Sequence, residues 1–145
     1  MRTLKLLLLG LLAFGPLASA WADLVVVTNP KSGIDRMSRE EVVFVFLGRW
    51  RQLPSGIAAV PIDLPIDSPE RAAFYRQLVS KSPSEIKAYW SRLMFSGGAR
   101  PPISPDSREE QIRILASTPG AIGYLDRSAV DNRMKIVFDF SLPPP

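Results

Sequence analysis

The stretch Thr118-Pro119-Gly120-Ala121-Ile122-Gly123-Tyr124 holds the end of one element and the start of the next. Pro and Gly end a helix, and the apolar residues after them have the composition of a short buried strand. Ser107 and Glu110 lie upstream at capping-box spacing, which marks where that helix begins. The stretch therefore predicts a helix that closes at residues 118–120 and a strand over 121–125. A glycine inside a strand is typical of close backbone approach, and we expect this of Gly123.

Three further helix starts lie upstream, each marked by a serine cap. Ser38 opens a capping box, and the apolar residues 42–47 follow it. These residues are β-branched and aromatic enough to form a strand, so propensity and capping disagree, and we favour a helix. Ser68 and Ser82 each precede a proline, which is tolerated at the first helical position.

Short apolar runs predict the remaining strands, over residues 24–28, 57–63 and 134–138. The predicted order is strand, helix, strand, three helices, strand, strand. This order predicts an α/β fold with a small mixed sheet covered by about four helices. The strand runs are apolar on both faces, which is typical of a sheet with helices on each side.

The first 22 residues have the three regions of a secretory signal peptide. Basic residues begin the segment, an apolar run covers residues 6–14, and small residues precede a predicted cleavage after Ala22, with Ala20 as the alternative. The apolar run is shorter than the roughly 20 residues that span a bilayer. We therefore expect a periplasmic protein with no stable membrane insertion after cleavage. The predicted organisation is a signal peptide at 1–22, one α/β domain at 23–141 and a loose proline-rich tail at 142–145.

Composition excludes several classes of function. The 145 residues include no Cys and no His, which excludes disulfides, lipid attachment through cysteine, and the usual zinc, copper and haem ligand sets. No pairing of a nucleophile with a base is visible, so we expect neither an enzyme nor a bound cofactor or metal. Residues 23–145 carry 16 basic and 14 acidic side chains, a net charge of +2, which argues against a nucleic-acid partner.

Four segments together resemble periplasmic phosphate-binding proteins of ABC-type phosphate importers. They are residues 24–30, 38–48, 89–97 and the 118–124 block. The resemblance implies a type 2 periplasmic-binding-protein-like fold, in which two α/β lobes close on a phosphate ion. This chain is long enough for a single lobe. Its implied function is that of a solute-binding component or accessory in the uptake of phosphate or a related oxyanion.

The resemblance also implies where the anion site of this lobe lies. In the family, an arginine followed by a Ser-Gly-Thr helix start supplies the donors, and residues 63–71 match that stretch. Ser68 is retained, but Leu64 stands where the arginine is expected, Pro69 removes an amide, and Glu70 adds a negative charge. Hydrogen bonds to charged groups contribute about 1.5–3 kcal/mol each. Losing two donors would therefore weaken phosphate binding by roughly 10²–10⁴.

Other polar residues extend the candidate site, each with a simpler alternative. Arg71 could replace the missing arginine in part, or be a solvated surface residue. Asp63, Asp67 and Glu70 are most simply solvated acids of a turn. The loop after the first strand lies where α/β sheets bind ligands, although a plain strand-to-helix connection needs none. The candidate anion-binding residues are Ser68, Arg71, Asp67, Thr28 and Ser32.

The turn Arg49-Trp50-Arg51 is a candidate partner surface, with an ordinary surface turn as the alternative. It supports a second hypothesis, in which the lobe has lost its ligand and acts as an interaction module for a membrane transporter or sensor. A face-to-face homodimer is a further option, because it would rebuild a two-lobed cleft.

Overall fold

Four strands form one mixed sheet in the computed structural model, which describes residues 23–143. Four helices complete the α/β fold and confirm the predicted class and element order. A 3-10 turn at Arg127–Ala129, which the sequence did not indicate, precedes the last strand. The elements are β1 Leu24–Thr28, α1 Arg39–Phe46, β2 Val60–Pro61, α2 Pro69–Val79, α3 Pro83–Phe95, α4 Arg108–Ser117, β3 Ala121–Asp126 and β4 Lys135–Asp139.

The sheet has the strand order β2-β3-β1-β4. β1 pairs antiparallel with both β3 and β4, whereas β2 pairs parallel with β3. Thr28 and Pro61 are both level with Ile122, yet their strands run in opposite directions. The loop after β1 and the loop after β2 therefore leave the sheet at opposite ends.

Each face of the sheet packs against helices, as the apolar strands predict. Val26 of β1 belongs to the core formed with α1, α2 and α3, whereas Val25 and Val27 belong to the core formed with α4. Alternate residues of a strand point to opposite faces, so one short run of valines serves both cores.

Serine caps begin the helices where the sequence predicts them. The hydroxyl of Ser38 accepts a hydrogen bond from the Glu41 amide at 3.2 Å within a complete capping box, and α1 is a helix rather than a strand. Ser107 caps α4, but its predicted box is half formed, because the Glu110 carboxylate pairs with Arg113 at 3.5 Å.

The second strand is shorter than the predicted range of 57–63. β2 covers Val60–Pro61, while Ala58 and Ile62 make isolated bridges to Gln52 and Ile103. Pro61 has no N–H to donate, and β2 is an edge strand, which is where a sheet tolerates proline.

Close backbone approach occurs at Gly120 rather than at Gly123, so that prediction is wrong. A Cβ on Gly120 would lie 1.9 Å from the backbone oxygen of Ala58, whereas one on Gly123 would meet nothing nearer than 3.5 Å.

The predicted signal peptide and the last two prolines of the predicted tail lie outside the described residues. Within residues 23–143, no helix has the length and apolarity needed to cross a bilayer.

Candidate functional site

The predicted anion site lies where the chain leaves β2 and enters α2. Ser68 is the cap of α2, and its hydroxyl accepts a hydrogen bond from the Arg71 amide at 3.3 Å. Pro69, the first helical residue, has no N–H, and the side chain of Asp67 is exposed. The start of α2 therefore offers few donors to an anion, although an 11-residue helix would attract one through its dipole.

Arg71 points into the protein, so its interpretation as a solvated surface arginine is wrong. It is 7% exposed, its Nε donates to Asp63 Oδ2 at 3.1 Å, and its guanidinium lies 5.1 Å from the centre of the Tyr75 ring. Its Nη1 is buried with no hydrogen-bond partner among residues 23–143. This cation is thus committed to an internal carboxylate rather than to the entrance of α2.

Asp63 is the centre of a saturated buried cluster, and it is not a solvated turn acid. Its Oδ2 accepts from Arg71 and from the Tyr75 hydroxyl at 2.8 Å. Its Oδ1 accepts from the Leu64 amide at 2.8 Å and from the Tyr124 hydroxyl. Each carboxylate oxygen has two donors, a number that balances the burial of a charge that is only 4% exposed.

The two tyrosines remain protonated donors over the ordinary pH range. Burial raises the pKa of Tyr75 well above its usual value, and the nearby Asp63 charge raises it further. Burial and the charge of Asp63 raise the pKa of Tyr124 in the same way. An arginine, two neutral hydroxyls and a backbone amide are the kind of donor set that holds an oxyanion, and here the Asp63 carboxylate already occupies it.

Glu70 also departs from the predicted solvated acid. It is 8% exposed, and its carboxylate pairs with the guanidinium of Arg108, the first residue of α4. α4 therefore brings a cation to the start of α2, but that cation faces Glu70.

Thr28 and Ser32 do not join Ser68, because their loop leaves the opposite end of the sheet. Both are buried, and the Ser32 hydroxyl donates to Thr28 Oγ1 at 3.0 Å. The neighbouring Asn29 side chain donates to the Leu115 carbonyl at 2.6 Å. The loop satisfies its own polar groups, as a plain connection between elements would.

The turn Arg49-Trp50-Arg51 lies on the surface just after α1. Trp50 is 39% exposed and packs with its ring centre 5.1 Å from that of Phe44, while Arg49 lies over the same Phe44 ring at 5.7 Å. Arg51 donates to the Gly98 carbonyl at 3.5 Å. The turn is therefore held in place, with its aromatic and basic groups facing solvent.

Three residues of the buried cluster have roles that the sequence did not indicate. Asp63 lies in the loop after β2, Tyr75 lies on α2 and Tyr124 lies on β3, and Tyr124 is 61 residues from Asp63 in the chain. One signal in the sequence could have indicated the burial of Asp63: it is an acidic residue at the end of an apolar run, where buried residues are expected.

Surface cavities lie elsewhere. One, of about 430 Å³, is lined by residues 49–54, and another, of about 370 Å³, lies between residues 35–39 and residues 136–139, with Leu142 and Pro143. Neither includes residues 63–71.

Residues 23–143 have the α/β fold of one lobe of a periplasmic-binding-protein-like structure. No family model matches this sequence, and no curated protein matches it. The similarity lies in the fold.

Solved structures with a similar fold include proteins described as phosphate receptors of ABC transport. An ABC-type phosphate transport receptor from Vibrio cholerae matches 85% of this chain with a TM-score of 0.63 at 14% identity. PstS from Borrelia burgdorferi matches 85% with a TM-score of 0.62 at 19% identity. This chain covers 49% of the length of each of those two. The similarity therefore confirms the predicted type 2 periplasmic-binding-protein-like lobe, and the chain spans about half of those proteins.

Proposed function

We propose that this protein is an exported, solute-binding-like lobe related to the phosphate-binding component of phosphate ABC transport, and that its own binding of oxyanions is weak. The observation that carries the proposal is the Asp63 carboxylate, which accepts four hydrogen bonds from donors on α2, on β3 and in the loop between β2 and α2. A phosphate ion in this region would have to compete with an anion that is part of the chain.

Competition with an attached carboxylate is unfavourable for two reasons. The Asp63 carboxylate is present at the high effective concentration of an intramolecular group. A phosphate that bound beside it would also be repelled by Asp63 and by the buried Glu70, both carboxylates in a region of low dielectric. Arg71 and Arg108 offset these charges within the protein, so little positive potential remains for a ligand.

The similarity to phosphate-binding components supports a role in anion uptake. The proposal therefore includes a periplasmic location and a membrane transporter as the partner. Because the chain covers 49% of each of the two proteins described above, a second lobe from another chain or a second copy would be needed to close a cleft.

A second candidate function is an interaction module for a membrane transporter or sensor, with ligand binding lost. The exposed turn at residues 49–51 favours it, because aromatic and arginine side chains are enriched at partner surfaces. The two candidates differ in whether any oxyanion binds.

Calorimetric titration with phosphate and with sulfate tests the proposal, with light scattering on the same sample. We expect dissociation constants of about 1 mM or weaker, which corresponds to a binding free energy of about −4 kcal/mol. Micromolar binding by a monomer would overturn the proposal. Micromolar binding by a dimer alone would show that two copies rebuild the cleft.

A charge substitution in the same loop tests the position of the site. Leu64→Arg restores the arginine that the family resemblance places there, so phosphate should bind about tenfold more tightly. Ile66→Arg is the matched control, because it adds the same charge in the same loop at a residue that is 57% exposed. Equal gains in both variants would contradict the proposed position.

A further inference from the structure

The positive charge of this protein is concentrated in two segments. Residues 42–56 and 86–105 contain five basic residues and no acidic one, whereas the rest of residues 23–145 has a net charge of −3. The five basic residues are Arg49, Arg51, Lys87, Arg92 and Arg100.

The two segments lie together at one end of the molecule. Arg51 donates to the carbonyl of Gly98, just after α3. A Cβ on Gly48 would lie 2.9 Å from the Trp90 ring and 3.4 Å from Ala99 Cβ, so the turn after α1 lies against the last part of α3. Along α3, Met94 is seven residues after Lys87 and Phe95 is three residues after Arg92, spacings that place each of these two pairs on one side of the helix.

Large apolar side chains are exposed among these cations. Phe95 is 96% exposed, Met94 is 57% exposed, and Trp50 is 39% exposed. We call the five basic residues together with Trp50, Met94 and Phe95 the basic-aromatic patch. A fully exposed phenylalanine beside cations adds nothing to the core, so packing does not account for it.

Among residues 23–143, none of the five cations of the patch is ion-paired with a carboxylate, whereas six of the eleven other basic residues are. The patch therefore has positive charge available for an external anion.

We propose that the basic-aromatic patch binds the surface of an anionic phospholipid bilayer. Each basic side chain near such a surface strengthens binding about fivefold, the equivalent of about 1 kcal/mol. Phe95 and Met94 then enter the boundary between headgroups and acyl chains, as the apolar side of an interfacial segment does. A bilayer surface accounts for both features of the patch, because it presents anionic headgroups to the cations and an apolar boundary to Phe95 and Met94. This inference does not depend on the site at the start of α2.

Co-sedimentation with vesicles tests the patch. Purified protein is mixed with vesicles of phosphatidylcholine alone or with about one third phosphatidylglycerol added. We expect binding only to the anionic vesicles, and its loss near 1 M salt, where the Debye length falls to about 3 Å. No binding to either vesicle, or equal binding to both, would overturn the proposal.

Matched substitutions separate the patch from general charge and hydrophobicity. Phe95→Ser should weaken vesicle binding about tenfold, and Arg92→Gln about fivefold. Ile66→Ser and Arg36→Gln are the controls, because both residues are exposed outside the patch. Controls that weaken binding as much as the patch variants would also overturn the proposal. Circular dichroism confirms that each variant is folded.

Discussion

Charged side chains are paired with each other at the start of α2, whereas those of the basic-aromatic patch are not. At the start of α2, Asp63 is paired with Arg71, and Glu70 is paired with Arg108, so each charge is neutralised within the chain. In the patch, the basic residues have no carboxylate partner among residues 23–143, and Phe95 is exposed.

This difference indicates which region is structural and which is available to a partner. A buried charge pair costs free energy to bury and more to break, so it fixes a local structure. Exposed charges contribute little to stability and are free to bind. In this lobe, the stretch that the family resemblance marks as an anion site is packed into the core, and the exposed cations without carboxylate partners lie around the end of α3.

The largest expected effect is on stability at the start of α2. Asp63→Ala would leave Arg71 buried without its partner and the two tyrosine hydroxyls without an acceptor, so we expect a loss of about 3–5 kcal/mol. Asp67→Ala, an exposed acid in the same loop, should change the free energy of unfolding by less than about 0.5 kcal/mol. Denaturant unfolding measures both. A loss below about 1 kcal/mol for Asp63→Ala would refute the structural role of the cluster.

A smaller loss should follow from disturbing β2, which leads the chain to Asp63. Gly120→Ala places a methyl group against the Ala58 carbonyl oxygen, and overpacking of this kind costs about 1–3 kcal/mol. Gly123→Ala is the control within the neighbouring strand, where contacts are ordinary, and its effect should be below about 1 kcal/mol. Equal losses in thermal unfolding would show that the edge pairing of β2 is unimportant.

The cluster should also make the free energy of unfolding depend on pH in the alkaline range. The pKa of Tyr75 and that of Tyr124 are raised above 10.0 in the folded state by burial and by the charge of Asp63. Below that pH, the folded and the unfolded states both hold these two protons, so the tyrosines add no dependence of stability on pH. Above it, the unfolded chain loses protons that the folded protein keeps, so stability falls by up to about 1.4 kcal/mol per pH unit for each tyrosine.

Replacing one tyrosine isolates its share of this dependence. Tyr75→Phe should reduce the slope of unfolding free energy against pH above about pH 10 by one proton equivalent. Urea unfolding at several alkaline pH values measures the slope. A slope identical to that of the unsubstituted protein would mean that Tyr75 titrates normally.

The smallest stability effect is expected in the basic-aromatic patch. Phe95→Ser and Arg92→Gln should each change the free energy of unfolding by less than about 0.5 kcal/mol, because exposed side chains away from the core contribute little. Thermal and denaturant unfolding measure the change. A loss above about 1 kcal/mol in either variant would remove the contrast between the two regions.

Local signals in the sequence were enough to predict most of the fold. The serine caps and the apolar runs predict the helices and β1, because caps and periodicity act over a few neighbouring residues. The ends of the second strand were wrong, since Pro61 limits its pairing and Ile62 finds Ile103 instead. The pairing of an edge strand depends on which distant residues lie beside it, so local sequence does not determine its ends.

The site was less predictable, because its partners are distant in sequence. Ser68 was correctly placed at the start of α2, yet the burial of Arg71 and Asp63 was missed. Their pairing depends on β3 bringing Tyr124 beside the end of β2, which no local pattern encodes. Charged residues are exposed on average, so exposure is the ordinary prediction for both residues. Here the hydrogen bonds of the cluster allow both side chains to be buried.

The most direct test of the central claim is chemical rescue of Asp63→Ala. If the Asp63 carboxylate fills an oxyanion site, an added small anion should stabilise the variant and leave the unsubstituted protein unchanged. We predict that sodium formate raises the melting temperature of Asp63→Ala well beyond an equal concentration of sodium chloride, because a ligand that binds only the folded state stabilises it. Equal responses to formate and chloride, or the same formate response in the unsubstituted protein, would contradict the account.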